Sequence, residues 1–116
     1  MKMNMKEWVA ETIRAEKKKA APILSFPGIQ ITGHTVDEMV RDGHLQALCM
    51  EAIAKRFPTG AAFSLMDLSV EAEAFGSPVS YSEDEVPTVT AALVHDEEEA
   101  AALKVPEVGA GRTGEC

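Results

Sequence analysis

Hydrophobic positions along this chain recur with two different periods, and the changes of period divide it into elements. Trp8, Val9, Thr12 and Ile13 fall on one helical face behind Asn4 and Glu7, which have the spacing of a capping box. The pattern predicts a leading amphipathic helix within residues 1–19, running over 5–19 with Trp8 as its packing anchor. Ala21-Pro22-Ile23-Leu24-Ser25-Phe26 is a short apolar run bounded by Pro27-Gly28. It predicts a buried strand that enters a loop extending to His34. Thr35 and Glu38 repeat the capping-box spacing. Behind them Val36, Met39, Val40, Leu45, Leu48, Cys49, Ile53 and Phe57 keep helical spacing, with a bend near Asp42-Gly43, until Pro58 and Gly60 stop the pattern.

The run from Gly60 through Phe63 to Met66 predicts a second buried strand, closed by Asp67 and followed by a short helix from about Leu68 to Phe75 that ends at Gly76. Residues 77–94 mix Pro78, Val79, Tyr81, Pro87, Val89 and Val94 with an acidic Glu83-Asp84-Glu85 turn, which suits short irregular strands or a hairpin. Asp96 and Glu99 head a last acidic helix over 96–104, stopped by Pro106. The order helix, strand, helix, strand, helix predicts an α/β fold with one βαβ unit behind a leading helix. Two strands joined by a parallel crossover leave both edges open, so residues 1–116 are expected to form a single unit that is the front portion of a longer protein.

Charge narrows the partners. Residues 1–19 carry a net +3 and residues 20–116 a net −11, giving −8 for the 116-residue chain. A body this acidic is a poor partner for nucleic acid or an anionic membrane. Lys17-Lys18-Lys19 is interleaved with Glu7, Glu11 and Glu16 and reads as a solvated helix face. Cys49 and Cys116 are the only cysteines and form no C-x-x-C pair, so no disulfide framework is implied. Residues 1–20 lack the apolar core of a signal peptide, and the longest uncharged stretch, Ala20 to Val36, is broken by Pro22, Pro27, Gly28 and Gly33. These features predict a cytoplasmic protein.

Asp67 is the candidate catalytic residue, because an acid at the carboxyl end of a parallel strand lies where α/β proteins build active sites. Its competing role is to cap the helix that follows. If the two strands are parallel, the Gly28–Gly33 loop would line the same mouth, which makes Gly28, Gln30 and Thr32 candidate substrate-binding residues. His34, His44 and His95 lack metal-ligand spacing, and no metal ligand is assigned. Gly109-x-Gly111 before Arg112 lacks the rest of a phosphate-loop pattern and reads as a loop leading to a helix.

The leading basic helix, the Pro22-to-Phe26 strand with its loop, the helix from Thr35 to Phe57, and Asp67 with Gly76 nine residues on together resemble the opening part of the uroporphyrinogen decarboxylase superfamily. That superfamily includes corrinoid-dependent methyltransferases acting on thiols such as coenzyme M. The resemblance implies a (β/α)8 barrel, a fold of about 250 residues, of which this chain would be the N-terminal portion. Decarboxylases of the family hold substrate carboxylates with an arginine-rich loop after the first strand. Phe26-Pro27-Gly28-Ile29-Gln30-Ile31-Thr32 has no arginine, which tilts the resemblance toward the methyltransferases. In that branch, methylcobalamin or a corrinoid protein donates the methyl group to a small thiol. A zinc ion, held by His and Cys residues late in the barrel, generates the thiolate. The alternatives are a true uroporphyrinogen decarboxylase, and a non-catalytic fragment that self-associates through exposed strand edges.

Overall fold

A computed structural model of the chain describes residues 3–116. Helix α1 spans Met5–Arg14, capped by Asn4, whose side chain accepts the Lys6 N–H and not that of Glu7. The helix is five residues shorter than its pattern suggests. It buries none of its residues, so packing does not extend it, and the Lys18 ammonium closes its end by bonding the Thr12 and Ile13 carbonyls.

Residues 21–25 of the expected strand over 21–26 join no ladder, Phe26 already lies in the turn into the next element, and the expected loop after it is helical. Helix α2, Gly28–Thr32, starts at Pro27 and stops at Gly33, whose φ of 78° suits a left-handed C-terminal residue. Glycine and proline here mark the two ends of a helical turn. Helix α3, Val36–Arg41, carries the full Thr35–Glu38 capping box. The expected bend falls at Asp42, whose carboxylate accepts the His44 and Leu45 N–H groups and starts helix α4, Gly43–Arg56.

Residues 61–67 likewise join no ladder, a second departure from the predicted βαβ unit. The two apolar stretches meet where the Gly60 N–H bonds the Ala20 carbonyl, and Pro22, Leu24, Ala61 and Ala62 gather around Met50, Ile53 and Ala54 of α4. Both lead to the same core, in which Val36, Met39 and Val40 of α3 and Leu45 and Cys49 of α4 enclose Leu65, with Phe26, Ile29 and Tyr81 packed against them. Side-chain burial holds these stretches without the ladder hydrogen bonds of a sheet.

Helix α5, Val70–Ala74, follows Ser69 and ends at Gly76. The only sheet among the described residues is the hairpin foreseen over 77–94: β1, Val79–Ser80, pairs antiparallel with β2, Thr88–Val89. Helix α6, Glu97–Ala102, is capped by Asp96, and Gly111–Gly114 form a closing 3-10 turn. The fold is therefore α/β, with several helices and a two-stranded sheet. Its radius of gyration, 17.9 Å, exceeds the roughly 13 Å of a compact domain of similar length. Ile23, Phe63 and Met66 on the two apolar stretches, and Leu68 in the turn after the second, stay exposed.

Candidate functional site

The acid singled out by the sequence lies in a cluster of charged and polar side chains. Asp67 Oδ1 accepts the Ser69 N–H at 2.9 Å and the Ser69 hydroxyl at 2.7 Å, a local turn that delivers the chain into α5. Asp67 Oδ2 pairs with Nη1 of Arg112, from the closing 3-10 turn. The Asp67 side chain is 1% exposed and that of Arg112 8%. Arg112 spends its other donors nearby, Nη2 on the Ser69 hydroxyl at 2.9 Å and Nε on Glu73 Oε2 at 2.7 Å.

Glu73 receives a second bond from the Tyr81 hydroxyl. Two guanidinium groups lie over the Tyr81 ring, Arg41 at 3.9 Å from its centre and Arg112 at 5.1 Å. Arg41 is in turn paired with Asp37 at 2.8 Å. The cluster thus joins α3, α5, the segment after β1 and the chain's last turn around one guanidinium.

Burial works against the charge on Asp67, but the Ser69 hydroxyl, Arg112 and the Ser69 N–H outweigh it and hold the carboxyl below its ordinary range. Glu73 is lowered in the same way: burial opposes ionisation, while Tyr81 and Arg112 favour it more strongly. Burial and the Glu73 carboxylate raise the Tyr81 phenol. Burial alone would weaken Arg112 as a base, and its two carboxylate partners reverse that, keeping it protonated. At neutral pH Asp67 is an anion with no proton to donate. Three of its roughly four acceptor directions are filled within the protein, and the side chain is almost wholly buried.

Among the described residues no hydrogen bond or ion pair joins Gly28, Gln30 or Thr32 to this cluster. Gly28 is buried against α4, where an added Cβ would lie 2.7 Å from the Cys49 carbonyl oxygen. The Thr32 hydroxyl bonds the Gly28 carbonyl and lies 3.3 Å from the Cys49 sulfur. Both residues therefore seat α2 on α4. Gln30 is exposed and lines a separate groove with Ile31, Arg56 and Phe57. Asp67 does not cap α5, whose N-cap is Ser69 with no side-chain cap bond; its carboxylate organises the turn before the helix and forms a buried ion pair.

Glu73, Tyr81, Arg41 and above all Arg112 are site residues that local pattern does not single out. The available signal was scarcity: residues 57–116 hold twelve acids and only two cations, Lys104 and Arg112. His34 and His95 pair with Glu38 and Glu99 on the surface, and among the described residues no group of three His, Cys, Asp or Glu could hold a metal ion. Cys49 is buried and Cys116 exposed, both as free thiols. No helix among the described residues is long and apolar enough to cross a membrane.

The sequence model of the family described as Uroporphyrinogen decarboxylase (URO-D) matches residues 10–115. No curated protein and no solved structure gives a significant match. The family match takes in both apolar stretches, the helices between them, the Asp67 turn and the Arg112 that closes on it, and on that span the chain belongs to the uroporphyrinogen decarboxylase family.

Proposed function

We propose that this chain is the N-terminal segment of a methyltransferase of the uroporphyrinogen decarboxylase family, one that moves a methyl group from a corrinoid to a small thiol such as coenzyme M. The supporting observation is a shortage of free cations where a polycarboxylate would have to be held. The stretch Phe26–Thr32 contains no arginine, and the guanidinium that reaches Asp67 is already neutralised by Asp67 and Glu73. A tetrapyrrole bearing many carboxylates needs uncommitted cations and bidentate donors. A thiol does not.

Within this reading Asp67 is a fixed, buried anion at the edge of the substrate site, held in place by Ser69 and Arg112. Gly28 and Thr32 act indirectly, by fixing α2 against α4, and Gln30 presents its amide to solvent. The described residues do not fit a zinc site, so this segment supplies no step through zinc. The partners in this reading are methylcobalamin or a corrinoid protein and a small thiol, met in the cytoplasm.

The test uses the protein that carries this segment, supplied with methylcobalamin and a panel of small thiols and followed by methylcobalamin absorbance and by mass spectrometry of the thioether. Thioether formation is the expected result. Conversion of uroporphyrinogen to coproporphyrinogen by the same protein would overturn the proposal in favour of the decarboxylase. A self-associating module is the second reading, favoured by the exposed Ile23, Phe63, Met66 and Leu68. It would show as one defined oligomer on size-exclusion chromatography.

A further inference from the structure

The three consecutive lysines do not lie on a solvated helix face. Because α1 stops at Arg14, Lys17, Lys18 and Lys19 fall in the stretch that follows it and line one cleft with Trp8, about 300 Å³ in volume. Lys18 is committed to the fold, its ammonium bonding the Thr12 and Ile13 carbonyls at 2.8 and 2.7 Å. Lys17 and Lys19 make no ion pair or hydrogen bond among the described residues. Glu11 is the one acid in the lining, so the cleft is net positive on a chain of net charge −8.

Two independent features therefore point to one ligand chemistry. The indole of Trp8, half-buried in the wall beside Ala15 and Ala21, offers a flat apolar surface. Two uncommitted ammonium groups offer charge, and they are strongly hydrated point charges that accept a carboxylate without demanding fork geometry. A volume of about 300 Å³ is at the small end of ligand pockets and suits a mono- or bicyclic ring. We propose that this cleft binds a small aromatic carboxylate, its ring against Trp8 and its acid group between Lys17 and Lys19. The site is separate from the Asp67 cluster. None of the residues lining the cleft belongs to that cluster. The inference therefore stands independently of the methyltransferase proposal.

Trp8 is the chain's single tryptophan, so its indole N–H gives an unambiguous signal in a ¹⁵N–¹H correlation spectrum. The full chain is titrated with 2-naphthoate, with the matching cation 2-naphthylmethylammonium, and with inorganic phosphate alone. The expected result is a saturable shift of the indole signal with 2-naphthoate, at a dissociation constant on the order of 1 mM. The cation should give no saturable shift, phosphate a much weaker one, and raised salt should weaken the naphthoate response. The double variant Lys17→Gln/Lys19→Gln should bind roughly ten-fold more weakly, with unchanged circular dichroism because neither side chain caps α1. Lys104→Gln, on the far acidic segment, should leave binding unaltered. Equal binding of the cation, undiminished binding by the double variant, or absence of any saturable shift up to roughly 10 mM would overturn the proposal.

Discussion

Replacing Asp67 by Asn tests whether the ion pair at the centre of the cluster holds the last turn of the chain. Asparagine keeps the shape and leaves an oxygen to accept the two Ser69 bonds, so the turn into α5 survives. What disappears is the negative charge facing Arg112 Nη1, in a place where the two side chains are only 1% and 8% exposed. Removing one partner of a buried pair costs about 3–5 kcal/mol. Arg112 retains Glu73 at 2.7 Å and the Ser69 hydroxyl at 2.9 Å, which lowers the expected loss to about 2–3 kcal/mol. In a domain of this length that corresponds to a fall of roughly 10–20 °C in melting temperature. The measurement is urea unfolding followed by circular dichroism for Asp67→Asn, Arg112→Met and the double variant. The two single losses should exceed the double-variant loss by at least about 1.5 kcal/mol when summed. A single-variant cost below about 0.5 kcal/mol, or additivity within about that amount, would refute the claim that these residues act as a unit.

The same cluster sets the pH dependence. Asp67 and Glu73 are held below their ordinary values, so the stability they contribute is complete above about pH 4, where unfolded carboxyls ionise, and drains as pH falls through the lowered folded values. Acid titration followed by circular dichroism should show this loss, and Asp67→Asn should flatten it. Tyr81 has the opposite sign: its raised phenol adds stability that is complete below about pH 10 and is lost as pH rises through the folded value, which ultraviolet titration of the lone tyrosine reads directly. Gly28→Ala should cost about 1–3 kcal/mol in urea unfolding, since the new methyl would meet the Cys49 carbonyl at 2.7 Å and its Cβ at 2.8 Å. Cys49→Ala should not rescue it, because both obstacles remain. Gln46 is 4% exposed with its amide nitrogen unpartnered among the described residues, so Gln46→Met should be neutral or stabilising by about 1 kcal/mol in the same assay.

What could be read from the chain and what could not divides along the range of the interaction. The Thr35–Glu38 box, the break at Asp42 and the hairpin around Glu83–Glu85 are set by contacts within a few residues, and all three are present. The two apolar runs have the composition of strands, but a strand exists only when a neighbour supplies its hydrogen bonds, and a single Gly60–Ala20 bond does not make a ladder. Pro27 and Gly33 suit a loop, and each equally serves as a helix boundary; which role it plays is decided by Gly28 meeting Cys49 across the fold. The site follows the same rule. Asp67 stands out because its surroundings change period within a few residues, and its turn-forming bonds to Ser69 are equally local. Its charge partner lies 45 residues away in a glycine-rich tail, where no periodicity marks it. Charge economy gives a partial mark: with twelve acids and two cations after residue 56, Lys104 and Arg112 are the cations of that half available to a carboxylate buried there. Of the two, only arginine offers a planar fork able to serve Asp67, Ser69 and Glu73 together. An Arg112→Lys variant should therefore behave nearly as badly as Arg112→Met in urea unfolding. Full stability in the lysine variant would show that the cluster needs a charge and not a fork.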